Sequence, residues 1–150
     1  MTDLRRKIIE RLRGIVEPAT YFTGTPDLKI PLPANILIAS RFPGKSPSTT
    51  RSSHSRFLLI FVLDGRHCEA IIDGIRYKIA PGQALLIFPW QHHHFFPGEN
   101  FKWLYLTFEM QNGTAIEALR NKVNIIPAQT YKYLDALTGI YKGARAGGIA

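Results

Sequence analysis

Three rhythms of apolar and polar residues run along the chain. From residue 2 to 15 the apolar positions Leu4, Ile8, Leu12 and Ile15 recur at helical spacing. Arg5, Arg6 and Arg13 fall on the opposite face. Thr2 or Asp3 is placed to cap the start, and Gly14 followed by Pro18 marks the stop. A helix lying on the domain is expected within 1–17. Residues 18–34 contain Pro18, Pro26, Pro31 and Pro33, which excludes a helix and predicts an extended arm. Residues 35–41 read as a strand, and 43–53 as a loop by composition.

The middle of the chain changes to a strand pattern. Residues 57–63 are seven consecutive apolar residues rich in aromatic and β-branched types, too short for an ordinary buried helix. Asp64-Gly65 supplies a turn into a strand over 67–72, and Asp73-Gly74 supplies a hairpin turn, where glycine tolerates a positive φ. Ile75, Tyr77 and Ile79 alternate with Arg76 and Lys78, as in a half-exposed strand. Pro81-Gly82 precedes a buried strand over 84–88, Pro89-Trp90 makes a corner, 92–96 is another strand, and Pro97-Gly98 turns into a strand over 101–109. On that last strand Phe101, Trp103, Tyr105 and Thr107 share one face. Short strands with turns every eight to twelve residues predict a mainly β, antiparallel sandwich or barrel across 35–111. The remainder, 112–150, turns helical: Ile116, Leu119 and Arg120 fit a short helix, and Leu134, Leu137 and Tyr141 fit a second, starting near Thr130. The ending after Lys142 is glycine-rich and reads as the start of a linker.

Composition narrows the class. The chain has 150 residues, 45% hydrophobic and 20% charged, as in a single globular domain rather than a disordered segment. One cysteine, Cys68, leaves no intramolecular disulfide and no thiolate-based zinc site. No apolar run reaches the roughly 18–20 residues that span a bilayer, and no apolar segment follows the N-terminal charges as a secretory signal requires. No membrane partner and a cytoplasmic setting are therefore expected. The formal charge is +8, with most of the excess on the two ends, consistent with solvated helix faces or with support for a neighbouring phosphate-binding module.

Three segments carry a more specific signal: HSRFLLIFVLDG over 54–65, PGQALLIFPWQHHH over 81–94, and WLYLTFE over 103–109. In order and spacing they resemble the two signature motifs of the cupin superfamily. More closely, they resemble the N-terminal effector domain of AraC-family transcription regulators. The resemblance covers about 35–110. It implies a cupin-like antiparallel β-barrel (a double-stranded β-helix) that binds a small-molecule effector, followed by helices used for dimerisation. In that family a DNA-reading helix-turn-helix domain follows, and DNA contact is expected only through such a C-terminal part, absent from this chain.

The three consecutive histidines raise the question of a metal. On a strand His92 and His94 share a face and His93 takes the other, so at most two meet one ion. Metal-binding cupins supply further ligands from a His-x-His and a Glu in the first motif; here those places hold His54, Ser55 and Arg56, then Leu59 or Ile60. A guanidinium repels a cation and a hydrocarbon cannot ligate it. No nucleophile–base pair, phosphate loop or Gly-x-Ser-x-Gly elbow is visible in the sequence. The expectation is a barrel without cofactor, metal or catalysis. The alternative is a stand-alone metal-dependent cupin enzyme using His54, His92 or His94; a scaffold or storage cupin is a third reading.

A sugar-like or carboxylate effector needs a flat aromatic surface and a few donors. Trp103 and Tyr105 offer the surface. By resemblance, Tyr105 takes the place of a sugar-stacking ring in the family, Phe95 that of an aromatic after the pocket histidines, and His93 the family's histidine position. Arg51, His54 or Arg56 is placed to supply a cationic donor, and the arm to fold over the mouth. The face of Leu134, Leu137 and Tyr141 is expected to have nothing to cover in a barrel and so to pair with a second copy as a homodimer.

Overall fold

Thr2 opens the first helix, its hydroxyl oxygen accepting the Arg5 amide at 3.4 Å. Helix α1 (Asp3–Leu12) follows, with Asp3 in the first turn and Arg11 in the last, both favourable to the helix dipole. The computed structural model describes residues 2–15, 36–41, 52–96 and 100–146, with side chains described to 141. The expected arm, most of the 43–53 loop, Pro97-Gly98 and the last four residues lie outside these.

The strands are β1 (Leu37–Arg41), β2 (Phe57–Asp64), β3 (Cys68–Ile72), β4 (Ile75–Ile79), β5 (Gln83–Ile87), β6 (His93–Phe96), β7 (Lys102–Phe108) and β8 (Val123–Ile125). Every pairing is antiparallel. One sheet runs β1-β7-β2-β5-β8 and the other β4-β3-β6. Among the described residues only the β3–β4 turn is a hairpin, with Asp73 at φ 49° and Gly74 at φ 85°. The turns at Asp64-Gly65 and Pro81-Gly82 carry the chain from one sheet to the other. This order, with strands crossing between two facing sheets, is the cupin-like barrel expected from the sequence.

The inner faces meet in one core: Leu58, Ile60 and Val62 of β2, Leu85 and Ile87 of β5, and Phe101, Trp103 and Tyr105 around β7, against Cys68, Ala70, Ile72 and Ile79 of the smaller sheet. Burial pushes the Cys68 thiol up to about 12, so it stays protonated and inert. The outer face of the larger sheet is also buried. Ile38, Phe61, Leu63 and Leu104 lie under Ile8, Ile9 and Leu12 of α1 and Leu134 and Tyr141 of α2 (Ala128–Ala146). That double burial explains the unbroken apolar run over 57–63: alternate residues serve two cores. Arg11 locks the helices together, its Nη1 donating to the Asp135 carboxylate at 2.6 Å and carbonyl at 2.7 Å. Ser40 ties the end of α1 to β1, its hydroxyl 2.7 Å from the Ile15 carbonyl and 3.0 Å from that of Leu12.

Two expectations are corrected here. Leu134 and Tyr141 are each 3% exposed and Leu137 packs against the same cluster. The face meant for a second copy covers this chain's own sheet. Leu134→Ala should therefore destabilise the isolated chain by about 2–5 kcal/mol, the range for truncating a buried leucine. Urea unfolding at several protein concentrations checks this; a loss that vanishes at high dilution would point instead to an intersubunit role. The second correction concerns the end: α2 runs on to Ala146, where a linker was expected. The short helix is a 3-10 helix (Thr114–Leu119), and β8, unforeseen, adds an edge to β5.

Candidate functional site

Alternation on β6 turns His93 inward, 4% exposed, and leaves His92 exposed and His94 half-buried. The histidine that meets His93 is His54, their rings 4.9 Å apart, edge to face. His92 and His94 are not part of this pair. Each inner ring is held by a carbonyl. The His54 Nδ1 lies 2.7 Å from the Arg56 oxygen, and the His93 Nδ1 lies 3.0 Å from the Gln91 oxygen. A carbonyl only accepts, so Nδ1 carries the hydrogen in both rings and Nε2 the lone pair. Burial lowers both histidine pKa values, the main cause in each; the carbonyl bonds oppose it, while the Arg56 charge adds to it at His54 and the His54 charge at His93.

This has a pH consequence. Both groups bind a proton more weakly folded than unfolded. Their stabilisation is complete above the unfolded value near 6.5 and is lost as pH falls towards the folded values. The chain should be less stable at pH 5.5 than at pH 7.5. Urea midpoints at the two pH values test this, and equal midpoints would contradict it.

A line of rings leads inward from His93. His93 is 5.5 Å from Phe95, Phe95 is 5.6 Å from Trp103, and Trp103 is 4.9 Å from Phe101 and 6.5 Å from Tyr105. Trp103 is 0% exposed, and its indole N–H has no hydrogen-bond partner among the described residues. A buried donor left unpaired is costly, and most such groups in folded proteins have a partner. Above Tyr105 sits the Arg41 guanidinium, 5.6 Å from the ring centre. Arg41 pairs with Trp103 across β1 and β7 and shares parity with the inward Leu37 and Ala39.

Arg56, 8% exposed, is engaged: its Nη1 donates to Glu109 at 2.6 Å and Nη2 to the Thr107 carbonyl at 3.3 Å. That use holds the end of β7 to the start of β2. Arg51 lies outside the described residues. Thus the structure gathers His54, His93, Phe95, Trp103 and Tyr105 along one path, while Arg56 braces its rim. Sequence reasoning missed Arg41, legible in retrospect from its parity on the strand paired with the aromatic one.

It also missed a polar pair. Ser52 bridges to His93 with two backbone hydrogen bonds, and its hydroxyl donates to the His93 Nε2 at 3.3 Å. The sequence shows no such pair because only folding brings residues 41 positions apart together. Among the described residues there is no group of three or more His, Cys, Asp or Glu able to share a metal ion. A separate cleft of about 390 Å³ lies on the outer face, lined by Phe57, Phe88, Pro89 and Arg120 among others. Arg120 already stacks 3.8 Å from the centre of Phe88 and is paired with Glu117. No helix among the described residues is long and apolar enough to cross a membrane.

No family model matches the chain, and no curated protein matches it. Solved structures similar to it include a conserved protein of unknown function from Streptococcus pyogenes (19% identity, 65% of this chain and 93% of that one, TM-score 0.47). Another is a cupin superfamily protein from Desulfitobacterium hafniense DCB-2 (16%, 54% and 73%, TM-score 0.47). A third is a salicylate 1,2-dioxygenase from Pseudaminobacter salicylatoxidans (18%, 49% and 22%, TM-score 0.43). These likenesses concern the shape of the barrel. The expectation of a domain that does no chemistry is corrected at this point, because an enzyme stands among the structures the chain is similar to.

Proposed function

We propose that the chain is the effector-binding domain of an AraC-type transcription regulator, taking a small sugar-like or carboxylate molecule into the barrel between the His54–His93 mouth and Trp103. The observation that carries this reading is the buried, unpaired Trp103 N–H at the inner end of the aromatic path. A ligand oxygen placed there removes the cost of the orphan donor, while Phe95 and Tyr105 cover its C–H faces. Neutral imidazoles suit a ligand that carries hydroxyl groups, an incoming hydroxyl taking the place of Ser52 at the His93 Nε2. The motif order over 54–65, 81–94 and 103–109 supports the family. In this reading the domain works in the cytoplasm, as a pair, and reads DNA only through a further domain. Binding then needs a difference of about 1–3 kcal/mol in affinity for two arrangements to act as a switch.

A thermal-shift screen of sugars, hydroxy acids and aromatic acids tests the binding. A ligand at 100 times its Kd should stabilise the chain by about 2.7 kcal/mol. Trp103→Phe, which keeps the ring and removes the donor, should weaken that ligand at least tenfold. A binder indifferent to both Trp103→Phe and His93→Gln would overturn the placement.

A further inference from the structure

We propose that Ser52 and His93 form a nucleophile–base pair that takes an acyl group from a small activated ester at the barrel mouth. The hydroxyl and the Nε2 lone pair are already in hydrogen-bond contact at 3.3 Å. Their relative position is fixed by the main chain. The Ser52 amide donates to the His93 carbonyl at 3.0 Å and the His93 amide to the Ser52 carbonyl at 2.9 Å. The far side of the imidazole is fixed as well, since Nδ1–H donates to the Gln91 carbonyl.

Gln91 is itself held from three directions. Its Oε1 accepts the Phe88 amide at 2.9 Å, and its Nε2 donates to Asp73 at 3.0 Å and Asn121 at 2.9 Å. Base, orienting carbonyl and buried support thus follow the general pattern of an activated hydroxyl, with a carbonyl where a carboxylate often stands. Ser52 is exposed and His93 buried, so a substrate reaches the oxygen while the base is shielded from water. The His93 ring is neutral, with its Nε2 lone pair facing the Ser52 hydroxyl. Phe95, next along the path, provides an apolar rest for a short acyl chain or aryl leaving group.

The step balances without a further reagent. The Ser52 oxygen bonds to the acyl carbon as its proton passes to the His93 Nε2. The carbon–oxygen bond to the leaving group breaks, and the departing oxygen takes the proton from His93. Water then repeats the sequence, releasing the acid and restoring the serine.

The whole chain is treated with p-nitrophenyl acetate and, separately, with an alkyl fluorophosphonate, then read by nitrophenolate burst, intact mass and peptide mapping. The expected result is one adduct per chain, on Ser52. Ser52→Ala, at an exposed position where the backbone bridge survives, should abolish it, and Ser53→Ala should leave it unchanged. His93→Gln should slow labelling 10²-fold or more while Ser52 remains present. No adduct, an adduct on another residue, or labelling that persists in Ser52→Ala overturns the proposal. This inference shares His93 with the effector reading, so the two are told apart at Ser52: Ser52→Ala should abolish the adduct while leaving binding of an effector in place.

Discussion

Trp103→Ala is expected to lower the unfolding free energy by about 3–5 kcal/mol, the range for deleting a fully buried large aromatic. The side chain is 0% exposed and touches Phe95, Phe101 and Tyr105, so its removal leaves a hole that three rings line and none can fill. Trp103→Phe separates packing from chemistry. It loses volume, and with that some stability, yet it also deletes the unpaired N–H. Its stability loss should therefore be well below half that of the alanine variant, while ligand binding suffers in full. Urea unfolding of both variants, beside the thermal-shift response to a binder, gives the comparison. Equal binding by Trp103→Phe and the parent chain would make Trp103 a core residue and nothing more.

Gly65→Ala is expected to cost roughly 3 kcal/mol or more and to yield largely insoluble protein. Gly65 sits at φ 98°, where an L side chain is strained by about 1–2 kcal/mol. A Cβ there would also lie 2.4 Å from the Asn100 carbonyl oxygen and 2.6 Å from the Phe101 Cα, both backbone atoms that cannot swing aside. Gly74 is the control. It too has a positive φ, 85°, but a Cβ would meet nothing within 4 Å. Gly74→Ala should cost only the conformational part, about 1–2 kcal/mol. Similar losses in the two variants would show that the close approach to Asn100 does not hold in solution.

The sequence made the barrel readable because its signals are local. Alternation over 75–79, the Asp73-Gly74 turn and the short apolar strands each depend on neighbours a few residues away. The inward set on β7 followed from parity alone, and Phe101, Trp103 and Tyr105 do line the core. Pairings made by distant segments were not readable. Leu134 and Tyr141 looked like a free face because the outer surface of β2 that they cover belongs to a run whose two-sided burial no periodicity reveals. Strand β8, only three residues, owes its existence to the free edge of β5 and carries no pattern of its own. At the site, alternation set His93 on the face opposite His92 and His94 but did not say which face is inward; closure of the barrel buries His93. Its meeting with His54 was not legible, nor its contact with Ser52, nor the consumption of Arg56 by Glu109 and Thr107. Those depend on how two sheets close, which single-strand periodicity does not report.

The most direct measurement is the indole N–H resonance of Trp103, recorded by nitrogen-15 NMR in a Trp90→Phe background so that one indole remains. Titration with any metabolite that stabilises the chain is expected to move this resonance as the N–H gains an acceptor, with His93 ring signals changing in step. A ligand that saturates the protein while leaving the Trp103 resonance in place, and perturbs only the outer cleft or α2, would contradict the claim that small molecules are held inside the barrel.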